Sequence, residues 1–211
     1  MSEQLKTGTT TVAIVCKDGV VLGADRRATA ADFIVNKDVP KIHIISDDMA
    51  LTMAGTVSDV QLLIKFIKAQ IRLKRVRSTR ELTVHETANL LAGLVYDNIR
   101  KFSTIPGISH FLLGGKDKMG IHVYDIFPDG SVTEVKDYVS SGSGSVMAYG
   151  VLETLYNKNI SVDEGVKLVV KALNAAIQRD TASGSGFDVI KITKEGIQKV
   201  IGKQIEIKVE A

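Results

Sequence analysis

Short apolar runs bounded by turn residues occupy both ends and the middle of the chain, and between them apolar residues recur at helical spacing. Thr10–Cys16 and Val20–Ala24 flank Lys17-Asp18-Gly19 and predict a β-hairpin. Lys41–Ser46 and Met49–Ala54, joined by Asp47-Asp48, predict two more strands. The period then changes. Val60, Leu63, Ile64, Ile67 and Ile71 lie on one face of a helix. A second helix is expected from Thr83, whose hydroxyl and Glu86 form a capping box, with Leu91, Leu94, Val95, Ile99 and Phe102 turned inward. Pro106-Gly107 breaks it. Strands are expected again at Ser109–Gly114, Ile121–Phe127 and, after Pro128-Asp129-Gly130, Val132–Val139. A Gly/Ser stretch leads into a helix from about Val146 to Tyr156. Ser161, with Glu164 as its capping partner, starts another that ends near Asp180. Phe187–Thr193 and Ile197–Ile201 close the chain as strands.

The predicted order is four strands, two helices, three strands, two helices and final strands. Tight turns between consecutive strands imply antiparallel sheets. Helices arriving in adjacent pairs fit a four-layer α/β/β/α sandwich, two sheets face to face with a helix pair on each outer side. This is an α+β architecture. There is no internal repeat and no linker long enough to divide the chain, and 211 residues suit one domain.

Composition adds a few limits. Aromatic residues are only 5% and Trp is absent, so the core is expected to be aliphatic. The net charge of +3 is too small to imply a polyanionic partner by itself. The single cysteine, Cys16, allows no internal disulfide and no cysteine zinc site. No apolar run approaches the roughly 20 residues of a membrane span. The leader Met1–Gly8 lacks the apolar segment of a secretory signal.

The chemistry begins at Gly8-Thr9. Threonine favours strands, so the run Thr9-Thr10-Thr11 has an ordinary explanation. A glycine before a threonine also suits a cleavage point, because glycine bends freely and puts no side chain in the way. Cutting there would give Thr9 a hydroxyl and a free α-amine with a reference pKa near 8, a nucleophile and a base in one residue. Such a pair needs charged neighbours. Asp25 ends an apolar strand and Arg27 follows on the same face by alternation, either as a surface ion pair or as part of a site. Lys41 opens the third strand, either as a solvated edge lysine or as a cation beside the threonine hydroxyl. Gly55 is a strand-to-helix turn whose bare N–H could also serve an oxyanion. Ser141-Gly142-Ser143-Gly144-Ser145 could be a flexible linker, but before a helix it suits an anion or a buried polar network. Asp180 ends the fourth helix at the unfavourable end of the dipole, where a cation is wanted nearby.

In this order the stretches Gly8-Thr9-Thr10-Thr11-Val12, Ala24-Asp25-Arg26-Arg27, Pro40-Lys41, Met53-Ala54-Gly55, Gly142-Ser143-Gly144-Ser145 with Tyr149-Gly150-Val151-Leu152-Glu153, and Arg179-Asp180 through Ser183-Gly184 resemble the proteasome β-subunit family, in particular its archaeal type. The resemblance covers essentially the whole chain. It implies the N-terminal-nucleophile hydrolase sandwich and a cytoplasmic threonine endopeptidase. The enzyme would be made as a zymogen, with residues 1–8 as a propeptide removed by self-cleavage and 9–211 as the catalytic domain. It implies Thr9 as nucleophile, Lys41 tuning its proton, Asp25 orienting Lys41, and Asp180, Ser183 and Ser143 around the new amine. The Gly55 N–H would meet the oxyanion, and Thr29 and Gly55 would pair with the substrate as an added strand. None of these positions is replaced. The family's specificity pocket maps to Ala28, Val39, His43, Met53, Val57 and Gln61, with Arg27 beside it. Being mostly apolar, it is expected to favour cleavage after bulky apolar residues. The implied partners are other β subunits in a seven-membered ring, α-subunit rings completing a four-ring barrel, a regulatory ATPase docked through the α rings, and unfolded protein substrates. No cofactor, membrane or nucleic acid is implied.

Two features point elsewhere. Seven basic residues, Lys65, Lys68, Arg72, Lys74, Arg75, Arg77 and Arg80, follow one another with no acid between them, as on a nucleic-acid-binding helix. Phe66 is the one aromatic residue within the run, too few for a row of stacked bases, and the apolar residues take the other face, so a solvated or subunit-facing surface is the expectation. A related amidase acting on small amides, or a bacterial two-ring peptidase of the same fold, is the other alternative. His43, His85, His110 and His122 show no metal-ligand spacing with one another or with acids.

Overall fold

In the computed structural model residues 8–204 are described, and most of the expected leader, residues 1–7, lies outside them. Six strands come first: β1 (Thr10–Cys16), β2 (Gly19–Asp25), β3 (Ala28–Ala30), β4 (Phe33–Asn36), β5 (Ile42–Ser46) and β6 (Met49–Gly55). Helices α1 (Val57–Ser78) and α2 (Val84–Arg100) follow, then β7 (Ser109–Asp117), β8 (Gly120–Ile126), β9 (Val132–Val135) and β10 (Tyr138–Gly142). Helices α3 (Ser145–Leu155) and α4 (Val162–Arg179) lead to β11 (Gly186–Thr193) and β12 (Gly196–Gln204).

Two five-stranded antiparallel sheets result, one ordered β10-β1-β2-β11-β12 and the other β5-β6-β7-β8-β9. Alternation along the strands creates three apolar slabs. Ala13, Leu22, Ala50, Leu112 and Ile190 fill the space between the sheets. Val12, Ile14 and Val21 pack under α3 and α4, with Leu152, Val169 and Leu173. Leu51, Phe111 and Leu113 pack under α1 and α2, with Ile64, Ile67 and Leu91. Three slabs separate four layers, the α/β/β/α sandwich expected from the order of elements. Both capping boxes form: Thr83 with Glu86 and Ser161 with Glu164.

Two expectations fail, and one element was not anticipated, for physical reasons. Val132–Val139 is not one strand. β9 pairs with β8 and β10 pairs with β1, so the chain crosses between sheets at Lys136-Asp137. Phe102 does not turn inward. Helix α2 stops at Arg100, two residues earlier, and Phe102 is 100% exposed. The short β3–β4 hairpin escapes detection because it has no buried apolar face: Phe33, Val35 and Asn36 are exposed.

Candidate active site

Strand β1 delivers the Gly8–Thr9 bond to the end of the sandwich where β2 stops, β6 turns into α1 and α4 ends. Thr9 is 6% exposed. Gly8 lies so close to Ala182 that any side chain at position 8 would run into it, which leaves glycine as the residue that fits. The Gly8 N–H donates to Thr29 Oγ1 at 3.1 Å. The Gly8 carbonyl oxygen accepts from the Thr9 hydroxyl at 2.6 Å and from Lys41 Nζ at 3.3 Å.

Lys41 is not a solvated edge lysine. It is 3% exposed and forms an ion pair of 2.7 Å with Asp25, itself fully buried. Its backbone is held as well, since the Lys41 carbonyl accepts from Met53 N and the neighbouring Val39 N–H donates to Arg26 O. The Asp25 carboxylate takes four donors. Thr10 N and Lys41 Nζ reach Oδ1, while Arg27 N and Gly184 N reach Oδ2. A buried carboxylate so surrounded has its acceptor capacity filled. Burial pulls the Lys41 ammonium below the ordinary lysine value, and the Asp25 carboxylate opposes that pull.

The other flank of Thr9 is built from hydroxyls. The Thr9 N–H donates to Ser143 Oγ at 3.2 Å. Ser143 and Ser183 both donate to Asp180 Oδ2 at 2.6 Å, and Ala182 N reaches Oδ1. Ser143 arrives on the loop between β10 and α3, and Asp180 caps the C-terminus of α4. This flank opens to solvent at Ser143.

Thr9, Asp25, Lys41, Ser143, Asp180 and Ser183 therefore converge on one peptide bond. Ala28, Thr29, Val39, Met53, Gly55 and Val57 line a single cleft with Gly8, Thr9 and Lys41. His43 and Gln61 do not line it. Burial and nearby Lys68 push the His43 pKa down, and its Nε2 has no hydrogen-bond partner among the described residues. Arg27 is not held by strand alternation either, because β2 ends at Asp25; its guanidinium donates to the Thr181 carbonyl instead. Sequence reasoning missed the roles of Thr10, Thr11 and Ser140, buried and hydrogen-bonded around β1, whereas Ser141, in the stretch expected to suit a buried polar network, pairs with Thr11. The available signal was polar residues crowded at positions where a strand should bury apolar ones.

Chemically, a hydroxyl lies against the carbonyl that precedes it, with a cation on the same oxygen. That suits attack on the Gly8 carbonyl with charge developing on oxygen. The basic run lies along α1, mostly exposed, while Val60, Leu63, Ile64, Ile67 and Ile71 face the core. Arg75 on α1 pairs with Glu81, and Arg80, in the loop beyond α1, pairs with Glu86 of α2. Among the described residues, no group of three His, Cys, Asp or Glu side chains is gathered as a metal site requires.

The model of the family described as proteasome subunit matches residues 5–192 of this chain. A protein named proteasome subunit beta from Ferroglobus placidus is 45% identical over 199 residues, 94% of this chain and 93% of its own length. One of the same name from Archaeoglobus fulgidus is 42% identical over 206 residues, covering 98% of this chain and 95% of that protein. Another, from Methanocaldococcus fervens, is 38% identical over 200 residues, with 94% and 88% covered.

Proposed function

The chain belongs to the proteasome subunit family, and from that premise we propose that it is a threonine endopeptidase of the proteasome core, with Thr9 as nucleophile. The observation that carries this reading is the contact at the Gly8–Thr9 bond: the Thr9 hydroxyl 2.6 Å from the Gly8 oxygen, beside the buried Lys41–Asp25 pair. Residues 1–8 act as a propeptide. The Thr9 oxygen attacks the Gly8 carbonyl carbon, and Lys41 stabilises the oxyanion that forms. The C–N bond then breaks, the nitrogen takes up the proton given up by the hydroxyl, and an ester links Gly8 to Thr9. Water hydrolyses the ester, leaving a Gly8 carboxylate and a Thr9 hydroxyl with a free amine.

That amine is then the base for each later substrate, with Ser143, Asp180 and Ser183 around it. Asp25 keeps Lys41 in place. In the cut enzyme the Gly55 N–H serves the oxyanion, and the backbone of Thr29 and Gly55 pairs with the substrate as an added strand. The apolar cleft of Ala28, Val39, Met53 and Val57 selects bulky apolar residues. This subunit works in a ring of seven β subunits stacked against α rings, a reading supported by the relatives named proteasome subunit beta only as far as assembly with other subunits. A regulatory ATPase feeds unfolded protein into the chamber.

The test is the intact mass of the chain recovered from an active assembled particle. A chain lacking residues 1–8 is the expected result. An active particle that keeps this leader rules the amine out as the base and overturns the mechanism.

A further inference from the structure

The second threonine of Thr9-Thr10-Thr11 has no part in the mechanism above, yet its side chain is fully buried in the polar cluster. Thr10 Oγ1 lies 2.7 Å from Ser183 Oγ. The direction of that bond follows from its neighbour. Ser183 Oγ is also 2.6 Å from Asp180 Oδ2, a carboxylate oxygen that accepts, so the Ser183 proton goes to Asp180. The proton between Thr10 and Ser183 then comes from Thr10. Gly144, at the start of α3, closes the other side, where a Cβ would collide with Thr10 Oγ1. The Thr10 hydroxyl therefore sits between the loop that carries Ser143 and the loop that carries Ser183, at the start of the strand that Thr9 immediately precedes.

We propose that Thr10 is a positioning residue for the Thr9 amine: by donating to Ser183 Oγ, its hydroxyl holds Ser183 in place and strengthens the hydrogen bond that Ser183 gives to Asp180. This rests on the reading of Thr9 as nucleophile with its own amine as base. With Thr10 in place, Asp180 Oδ2 carries the hydroxyls of both Ser183 and Ser143. Without it, the Ser183 oxygen loses its donor and the bond from Ser183 to Asp180 weakens. An Asp180 carboxylate held by a weaker donor attracts the protonated amine more strongly, and less of the amine is free to act as base. Among the described residues, the charged groups that act on Lys41 beside this centre are Asp25 from β2, Arg27 just beyond it and Asp180 itself. None of them is bonded by Thr10 Oγ1.

Thr11 supplies a control. Its hydroxyl pairs with Ser141 Oγ at 2.8 Å, equally buried, but that pair joins β1 to β10 and does not touch Asp180.

The experiment uses assembled particles carrying Thr10→Val, Thr10→Ser or Thr11→Val, with peptide hydrolysis measured across pH. For Thr10→Val, kcat should fall about tenfold with KM little changed, a loss on the scale of one buried hydrogen bond. The acid limb of the kcat/KM profile should move to higher pH. Thr10→Ser should restore both, and Thr11→Val should leave the limb where it is. A wild-type limb in Thr10→Val, or a shift of equal size in Thr11→Val, overturns the proposal. If Thr10→Val does not assemble, Thr10→Cys, whose thiol is a weak donor, is compared with Thr10→Ser, and identical limbs overturn it. Thr9→Ala keeps the two readings apart. If that variant stays active, the nucleophile assignment fails. If it is dead while Thr10→Val behaves as wild type, only the role of Thr10 fails.

Discussion

The two flanks of Thr9 solve opposite problems. On one side Lys41 and Asp25 are almost wholly removed from water, 3% and 0% exposed. On the other, Ser143 is exposed and Asp180 half-buried, with neutral hydroxyls as the connecting groups. A buried ion pair must be complete, because removing one member leaves a charge with nothing to meet it. A hydroxyl open to solvent can be replaced by water at small cost. The dry flank is therefore expected to be brittle and the wet flank forgiving, although both sit within one residue of the same bond.

Removing the group between the flanks has the largest effect. Thr9→Ala should abolish both removal of the leader and peptide hydrolysis in an assembled particle, while Thr9→Ser should retain part of each. Mass spectrometry and a fluorogenic peptide check these outcomes. Hydrolysis by Thr9→Ala at the wild-type rate would make the contrast between the flanks irrelevant to catalysis.

Breaking the dry flank comes next. Lys41→Ala should lower the rate by about 10²–10⁴. Being buried, Lys41 should also cost stability on removal, about 3–5 kcal/mol, because Asp25 is left unpaired. The double variant Lys41→Ala/Asp25→Asn should recover much of the lost thermal stability and none of the activity. If both return together, the pair is only a structural element. If Lys41→Ala loses neither, the flank is not brittle at all.

How much of this contrast was readable beforehand depended on what kind of signal each residue left. The layers followed from periodicity, since three apolar slabs require apolar residues at spacing two and 3.6. The motif residues around Thr9 were legible as a set through their resemblance to a family. Their burial was not. A lysine after Pro40 reads as an edge residue until Asp25, 16 positions earlier, is found 2.7 Å away. The crossing at Lys136-Asp137 was hidden because strands in either sheet carry the same alternation. The inward placement of Phe102 failed because a helical repeat does not state where its helix stops.

The dry flank also carries the apolar wall of the cleft, with Val39 and Met53 flanking Lys41 in space. Burying a large apolar side chain there contributes roughly 1.5–3 kcal/mol, about 10- to 150-fold in rate if the contact is made in the transition state. A panel of peptides varying the residue before the scissile bond should rank bulky apolar residues first. Faster cleavage after acidic residues would show that the wall does not set the preference.

The smallest effect is expected on the wet flank. Ser143 Oγ accepts from the Thr9 nitrogen and donates to Asp180, so its deletion removes two hydrogen bonds on paper. Both are exposed to solvent on one side, and a water in the space left by the hydroxyl can accept from the nitrogen and donate to the carboxylate. Asp180 also keeps Ser183 and Ala182 N as donors. The net contribution of one such hydrogen bond is about 0.5–1.5 kcal/mol, so Ser143→Ala should slow peptide hydrolysis by about 3- to 10-fold. Leader removal should slow by a similar factor, since the Thr9 nitrogen is an amide donor before the cut and gains no charge until after it. Assembly and thermal stability should stay near wild type. The comparison to make is with Lys41→Ala in the same particle and buffer. Should Ser143→Ala cost as much as Lys41→Ala, water has failed to stand in for the hydroxyl, and solvent exposure does not explain which flank tolerates loss.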